Sequence, residues 1–263
     1  MRRVIVDAMD TPPPRKNAEL NLSEACTILS AAVTPKPGPV VLHQYWDHDP
    51  PRQIAKLLKH NARHCRRFGM GHEIWTKERA KHFLHAHLPD QLDLFLRAPH
   101  PAMASDLLRL CLIEVHGGIY LDADMGLNPD GGKQLPSLLH QALLFKWEHD
   151  DRQNAPNWCF GFRKGHPMIR HIREETARSM TRAINQDPDT AMKTILNVSG
   201  PGRFTKAAAS WIATHGCPPG LLMLDVTQTG SLVLNGPVIL GRQLEYKQTA
   251  KHWLIAAGKA PGS

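Results

Sequence analysis

Long apolar runs are missing from this sequence. None of its 263 residues lie in a run approaching the roughly 18 consecutive apolar residues that a membrane-spanning helix needs. The N-terminal stretch MRRVIVDAMDTPPP is basic, but it lacks the apolar segment of roughly 7–15 residues that marks a secretory signal. A transmembrane enzyme is therefore excluded by the hydropathy pattern, and a cytoplasmic location is expected.

Cysteine is also scarce and unpaired in its spacing. The chain has five cysteines and no C-x-x-C pair; they are Cys26, Cys65, Cys111, Cys159 and Cys217. An odd, scattered set is typical of neither a disulfide framework nor a structural zinc ribbon. The pattern predicts a protein of a reducing compartment.

Positive charge is in excess. Lys and Arg number 32 against 24 Asp and Glu, which gives a formal net charge of +8. Such a balance favours anionic partners, namely nucleotides, nucleic acid or acidic lipid headgroups. Because no motif for reading bases is present, we expect no nucleic-acid partner, and we expect nucleotide binding and peripheral contact with an acidic membrane surface.

Proline and glycine divide the chain. Residues 1–38 carry two proline clusters around one short predicted helix, Ser23 to Ala32, and are predicted to be an arm and linker. Residues 39–258 are predicted to form one mixed α/β domain, and residues 259–263 a tail. The domain begins as a strand at 40–46, a helix from Pro50-Pro51 to about Arg66, and a second strand at 72–76.

The rest of the domain continues this alternation. Helices are predicted at 77–86 and 103–115, the latter stopped by a Gly-Gly pair before the apolar strand that runs into IYLDAD. Apolar runs lie at 142–147 and 157–162, and helices are predicted at about 167–183 and 204–214. Strand-like pieces near 221–226 and 231–240 close the domain.

Four charged residues carry the chemistry. Asp106 and Arg109 are three apart on a predicted helix and so project from one face. Asp122 and Asp124 flank Ala123, and their side chains can converge only if the strand ends there and the chain turns. Two converging carboxylates form a hard-oxygen site suited to Mn²⁺ or Mg²⁺, completed by water and phosphate oxygens of a ligand.

These residues belong to a longer pattern of S-D-x-x-R, an apolar helix, G-G and I-Y-L-D-x-D over residues 105–124. The pattern resembles the DXD-motif sugar-binding glycosyltransferase family, which includes yeast mannosyltransferases and bacterial capsule-type transferases, and also the catalytic core of the clostridial glucosylating toxins. The resemblance extends outward over roughly residues 40 to 205, through LHQYW at 42–46, W-T at 75–76, Asn157 with G-H-P at 165–167, and S-G-P-G at 199–202.

The resemblance implies a GT-A type fold for residues 39–258, with a central mixed sheet flanked by helices. It implies a metal-dependent enzyme that transfers a hexose, with retention, from a UDP- or GDP-linked sugar to a glycan, polysaccharide or glycolipid acceptor. Asp106 would accept hydrogen bonds from sugar hydroxyls, and Arg109 would reach sugar or phosphate as a charged fork. Asp122 would contact ribose or metal-bound water, and Asp124 would ligate the metal directly.

The resemblance also implies a nucleotide pocket. Trp46 would stack on the base, Tyr120 would line the pocket, and Ser105 and Gly118 would contact nucleotide or sugar. His252 is a candidate third metal ligand, although the family's closing Ser-Trp pair is absent after His252-Trp253. Basic residues could also help the leaving phosphate; the candidates are Arg203, Lys247, Lys251 and His252.

Several alternatives stay open at this point. The acceptor could be a protein, as the toxin resemblance would allow. A basic, non-catalytic binding module on the same fold is a second alternative, and a phosphohydrolase, which would need a second metal cluster, is a third. The sequence leaves open the donor base, the oligomeric state and the choice between front-face attack and a covalent intermediate.

Overall fold

A computed structural model of the chain describes residues 39–146, 154–225 and 229–249. The predicted arm at 1–38 with its short helix, the tail at 259–263, and the candidates Lys251 and His252 lie outside the described residues. What is described falls within the predicted domain at 39–258.

A six-stranded sheet forms the centre of the molecule. Its strands are β1 (Val41–Tyr45), β2 (Gly71–Trp75), β3 (Gly118–Leu121), β5 (Ala142–Lys146), β6 (Cys159–Phe162) and β7 (Leu221–Asp225). Their order across the sheet is β2-β1-β3-β6-β5-β7. The strand β6 runs antiparallel to its neighbours β3 and β5, while β1 is parallel to β2 and β3, and β5 to β7. The mixed α/β sheet predicted from the sequence is confirmed.

Alternating side chains give the sheet two apolar faces. Tyr45 and Tyr120 point into the larger core cluster, while Leu42 and Leu121 belong to a second cluster on the other face. Both faces are covered, because helices or a smaller sheet pack on each. Such double burial explains why β3 and β6 are apolar runs without a polar side.

The larger core is covered by helices on one face of the sheet. They are α2 (Lys77–His87), α3 (Leu92–Arg97), α4 (Pro101–His116), α6 (Pro167–Gln186), α7 (Pro188–Lys193), α8 (Ile195–Val198) and α9 (Pro201–His215). In α4, every residue from Met103 to Glu114 is buried. The helix begins with Pro101, and the side chain of His100 accepts a hydrogen bond from the backbone N–H of Ala102. The polar groups of α4 are therefore inside the protein and require partners.

The other face carries α1 (Arg52–Arg67), α5 (Leu135–Leu138), α10 (Gly236–Leu240) and a small antiparallel sheet of β4 (Met125–Leu127) and β8 (Val233–Asn235). Turns of 3₁₀ helix lie at Pro89–Gln91, Gly132–Gln134 and Glu245–Gln248. The predicted strand at 231–240 is corrected: only 233–235 is extended, and 236–240 is helical. Pro237 explains the change, since it has no N–H to continue a ladder and is favoured in the first turn of a helix.

The cysteines also differ in part from expectation. Cys65, Cys111 and Cys159 are buried free thiols and pack as small apolar side chains. Cys217 takes part in a disulfide bond, which was not expected. The reason is that spacing along the chain does not show which thiols the fold brings together. Among the described helices, none has the length and apolar character needed to cross a bilayer.

Candidate active site

The strand β3 ends at Leu121, and Asp122, Ala123 and Asp124 form a turn directly after it. The turn is closed by a 3.0 Å hydrogen bond from the Met125 N–H to the Asp122 carbonyl. It is fixed to its surroundings by the Asp122 N–H on the Trp158 carbonyl, at 2.8 Å. The strand thus ends where the two carboxylates were predicted to converge.

A cavity of about 610 Å³ lies over this turn. Its walls come from several parts of the chain. They are the end of β1 with residues 46–48, His100 with the first half of α4, Tyr120 with the turn after β3, residues 157–158, α8 with the loop into α9, Asn235, and the C-terminal segment at Tyr246 and Lys247. Trp46, Ser105, Asp106, Arg109, Tyr120, Asp122 and Asp124, all predicted from the sequence, line it together.

Arg109 is the centre of the polar network beneath the cavity. Its guanidinium donates to the carbonyl and hydroxyl of Ser105, at 3.2 and 3.0 Å, and to the Asn157 carbonyl at 2.6 Å. It also pairs at 3.2 Å with both Asp106 and Asp122. Burial alone would lower the pKa of Arg109, but the neighbouring carboxylates, Asp122 foremost, raise it above its ordinary value. Arg109 is therefore a fixed cation whose donors are largely engaged by the protein.

Asp106 is held from both sides and is 7% exposed. One of its oxygens accepts from the Asn157 amide at 2.9 Å, and the other accepts from the Ser199 hydroxyl at 2.8 Å. Burial raises the pKa of Asp106, and Arg109 opposes this rise. Its orientation is fixed, so its remaining lone pairs can face a ligand without reorganisation.

Asp122 is more open, since its side chain is 31% exposed to the cavity. Burial of its surroundings raises its pKa to about 7, against the opposing effect of Arg109 and with further contributions from Asp124 and Asp106. Beside it, the Tyr120 hydroxyl lies 3.1 Å from the Ser105 hydroxyl, and the Arg109 guanidinium stands 4.6 Å from the Tyr120 ring centroid. Asp106 and Asp122 thus share one arginine, and burial raises the pKa of both carboxyls.

Asp124 is covered by the C-terminal segment. Its Oδ2 atom accepts from the Tyr246 hydroxyl at 2.8 Å and from the Lys247 ammonium at 2.6 Å. Lys247 was among the basic candidates, whereas Tyr246 was not predicted. The available signal was weak: Tyr246 is one of only three tyrosines and adjoins that lysine. Its contact with Asp124 spans 122 positions of sequence.

Trp46 and Tyr246 form an aromatic edge of the cavity, with ring centroids 5.3 Å apart and planes at 89°. The indole N–H of Trp46 is buried and has no hydrogen-bond partner among the residues that the structure describes. A buried donor without an acceptor typically costs about 1–3 kcal/mol. The arrangement therefore places two aromatic side chains and an unsatisfied donor at one edge of the cavity, where a ligand could contact them.

Asp122 and Asp124 offer carboxylate oxygens, which are the donors that Mn²⁺ and Mg²⁺ prefer, so the residues fit a divalent ion. Within the part of the chain that the structure describes, no group of three His, Cys, Asp or Glu side chains is gathered as a metal site. The remaining coordination positions would fall to water and ligand phosphate oxygens, as expected from the sequence.

Gly118 lies outside the cavity. It opens β3 at the end opposite the turn, and it is not among the residues that line the cavity. Its φ angle is +99°, and a β-carbon there would collide with the carbonyl oxygen of Val41 on the neighbouring strand. Instead of contacting nucleotide or sugar, as predicted, Gly118 allows the close approach of β3 to β1.

The names of two curated relatives give the class first, since both are glycosyltransferases. More particularly, residues 51–142 match the family described as "Glycosyltransferase sugar-binding region containing DXD motif". The resemblance predicted from residues 105–124 is thereby confirmed.

Two curated relatives match about half of the chain or more. An uncharacterized glycosyltransferase of Acanthamoeba polyphaga mimivirus is 27% identical over 160 residues, which are 59% of this chain and 62% of the relative. Inositol phosphoceramide mannosyltransferase 3 of Schizosaccharomyces pombe is 26% identical over 136 residues, which are 51% of this chain and 36% of the relative. The chain thus spans less than two thirds of either relative. A solved structure, the PaToxG glycosyltransferase, matches over 85% of this chain and 88% of its own, with 17% identity and a TM-score of 0.45.

Proposed function

We propose that the protein is a metal-dependent glycosyltransferase, with residues 39–258 as its GT-A type catalytic domain. It transfers a hexose from a UDP- or GDP-linked sugar, with retention, to a glycan or glycolipid acceptor. The observation that carries the proposal is the Asp122–Asp124 turn, open to a 610 Å³ cavity beside the buried Asp106–Arg109 pair and inside the region that matches the family.

The donor's base would lie against the aromatic edge at Trp46. Stacking of this kind tolerates either uracil or guanine, because every base has a π face. The sugar would lie over Asp106, whose oxygens are aimed by Asn157 and Ser199 and can accept from its hydroxyls. Arg109 has most of its donors engaged, so we assign it the positioning of Asp106 and Asp122 instead of the direct sugar contact expected from the sequence.

Asp124, with Asp122 through water, would hold the divalent ion. When bound, the ion supplies charge neutralisation for the departing nucleoside diphosphate. Lys247 lies on the same carboxylate and would contribute a second positive charge near the leaving phosphates. The buried network beneath the turn keeps these groups preorganised, so little reorganisation is needed as charge develops.

A glycolipid is the acceptor class that we favour. The support is the name of one relative, an inositol phosphoceramide mannosyltransferase, whose acceptor is a lipid. A cytoplasmic enzyme acting at the membrane surface would be consistent with this acceptor and with the net charge of +8.

The test is calorimetric titration of UDP, GDP and their common sugar conjugates with Mn²⁺, with Mg²⁺ and with chelator, followed by a transfer assay using the sugar nucleotide that binds. We expect one nucleotide to bind only with metal, and transfer with retained anomeric configuration. The non-catalytic binding module would be favoured if the protein bound no nucleotide but bound an anionic polymer with a steep salt dependence.

A further inference from the structure

One helix outside the site carries an unusual charge pattern. The exposed face of α1 presents only cations, and the helix contains no acidic residue. The six form the basic stripe: Arg52, Lys56, Lys59, Arg63, Arg66 and Arg67. From 52 to 66 they follow steps of four and three, which is the spacing that aligns side chains along one face of a helix. At 1.5 Å per residue, the row extends over about 21 Å.

The basic stripe is not neutralised by the protein. None of its six cations forms an ion pair with any residue that the structure describes. On α2 and α6, by contrast, Lys81 pairs with Glu78 and Arg178 with Glu175. Asp130 is the acidic residue that shares a depression with Arg67, and Lys133 lies beside them. Closely spaced like charges repel one another, so an external anion would relieve this repulsion.

The apolar side of α1 is already used. Ile54, Leu57, Leu58 and Cys65 are buried against the sheet and the small β4–β8 sheet. The helix therefore cannot insert an apolar face into a bilayer and can offer only its charge. A straight row of cations fits a planar array of phosphates along its whole length.

The stripe begins beside the cavity. Residues 46–48 line the cavity, and α1 begins at Arg52, four residues further along the chain. Gln53 also holds the C-terminal segment, by hydrogen bonds to the Gln243 carbonyl and from the Glu245 N–H, at 2.8 and 2.9 Å. That segment supplies Tyr246 and Lys247 to the cavity wall. The first turn of α1 is thus joined to the segment that forms one wall of the cavity.

We propose that the basic stripe of α1 docks the protein on an anionic lipid bilayer and so places the cavity mouth beside a lipid-borne acceptor. The docking stands on the charge pattern alone, whereas its link to the acceptor rests on the proposed function. A membrane is favoured over nucleic acid because the exposed face of the stripe carries no aromatic residues for base stacking.

The test is sedimentation of the full chain with vesicles of phosphatidylcholine, with and without phosphatidylserine. We expect binding to the anionic vesicles only. Each basic residue near such a surface contributes about fivefold in partitioning, so Lys56→Glu combined with Arg63→Glu should lower it by at least about 25-fold. The matched control is Arg182→Glu with Lys206→Glu, which makes the same charge change on α6 and α9, across the sheet, and should lose far less.

Equal losses in both double variants would overturn the proposal, because net charge and not the stripe would then govern binding. The proposal would also be overturned if the protein did not bind vesicles. The same holds if the basic stripe were needed for binding RNA oligonucleotides and not for binding vesicles. Calorimetric nucleotide binding distinguishes this failure from failure of the proposed function: the Lys56→Glu/Arg63→Glu variant should bind donor nucleotide like the wild type.

Discussion

At the scale of single residues, the proposed role of Asp124 as a metal ligand can be tested by one substitution. Asp124→Asn is nearly isosteric and keeps an acceptor for Tyr246, but it removes the charge that would hold a divalent ion. We expect metal-dependent turnover to fall by at least about 100-fold, with an unchanged circular dichroism spectrum. Asp130→Asn, an exposed aspartate outside the cavity, is the matched control. Full turnover of the Asp124 variant at saturating Mn²⁺ would remove Asp124 from the metal site.

Trp46 carries the second prediction at this scale. Trp46→Ala should weaken nucleotide binding by about 5- to 150-fold, since base–aromatic stacking contributes about 1–3 kcal/mol. Trp46→Phe keeps a ring and removes the unpartnered indole N–H, so it should retain most of the affinity. Calorimetric dissociation constants for the two variants separate stacking from hydrogen bonding. Equal affinities for wild type and alanine variant would contradict the stacking role.

At the scale of secondary-structure elements, Gly118 joins β3 to β1. Gly118→Ala would place a β-carbon against the Val41 carbonyl at a φ of +99°. Gly165 also has a positive φ, of +69°, but no atom of the described residues lies within 4 Å of an added β-carbon. We expect Gly118→Ala to lower the free energy of unfolding by at least about 2 kcal/mol more than Gly165→Ala does, because only the first adds a steric collision. Urea denaturation of both variants measures the difference, and equal effects would show that the strands separate at little cost.

Most elements could be predicted from the sequence because their signals are local. The helix at 52–67 and the strand at 71–75 follow from proline, apolar periodicity and β-branched or aromatic residues, and the Asp122–Asp124 turn follows from an apolar run that ends in carboxylates. The antiparallel direction of β6 could not be predicted, since strand direction depends on the path of the chain between strands. Likewise, Tyr246 meets Asp124 only through tertiary packing, and no local pattern announces that contact.

At the scale of the whole molecule, the buried histidines should make the free energy of unfolding fall as the pH is lowered. His43 is 2% exposed; its Nδ1 atom accepts from the Trp75 indole N–H, and its Nε2–H donates to the Gly117 carbonyl, both at 3.1 Å. A proton on Nδ1 of His43 would face the indole N–H of Trp75, so the folded state requires the neutral imidazole. Burial, aided by nearby His116, lowers the pKa of His43 from 6.5 to about 4. Burial also lowers the pKa of His64, His72, His100, His116 and His166.

The direction of this pH dependence follows from the difference between the histidine pKa values of the folded and unfolded chains. The unfolded chain takes up these protons first, so the stabilisation is complete above pH 6.5 and is lost as the pH falls from 6.5 towards 4. His43 alone should account for about 3 kcal/mol over this window. Urea denaturation at a series of pH values measures the slope, which should be shallower in His43→Gln and unchanged in His85→Gln, an exposed control. An identical slope in the His43 variant would contradict this origin of acid sensitivity.

The hydrogen bonds of Gln53 to residues 243 and 245 join segments 190 and 192 positions apart. Closing a loop of that length costs entropy that local contacts do not offset. The long-range hydrogen bonds of Gln53 should therefore form late in folding. The cavity wall at Tyr246 and Lys247 should then be assembled after the sheet. A nascent or partly folded chain would hold Asp124 uncovered, and catalytic competence would arrive only with the final docking of the C-terminal segment.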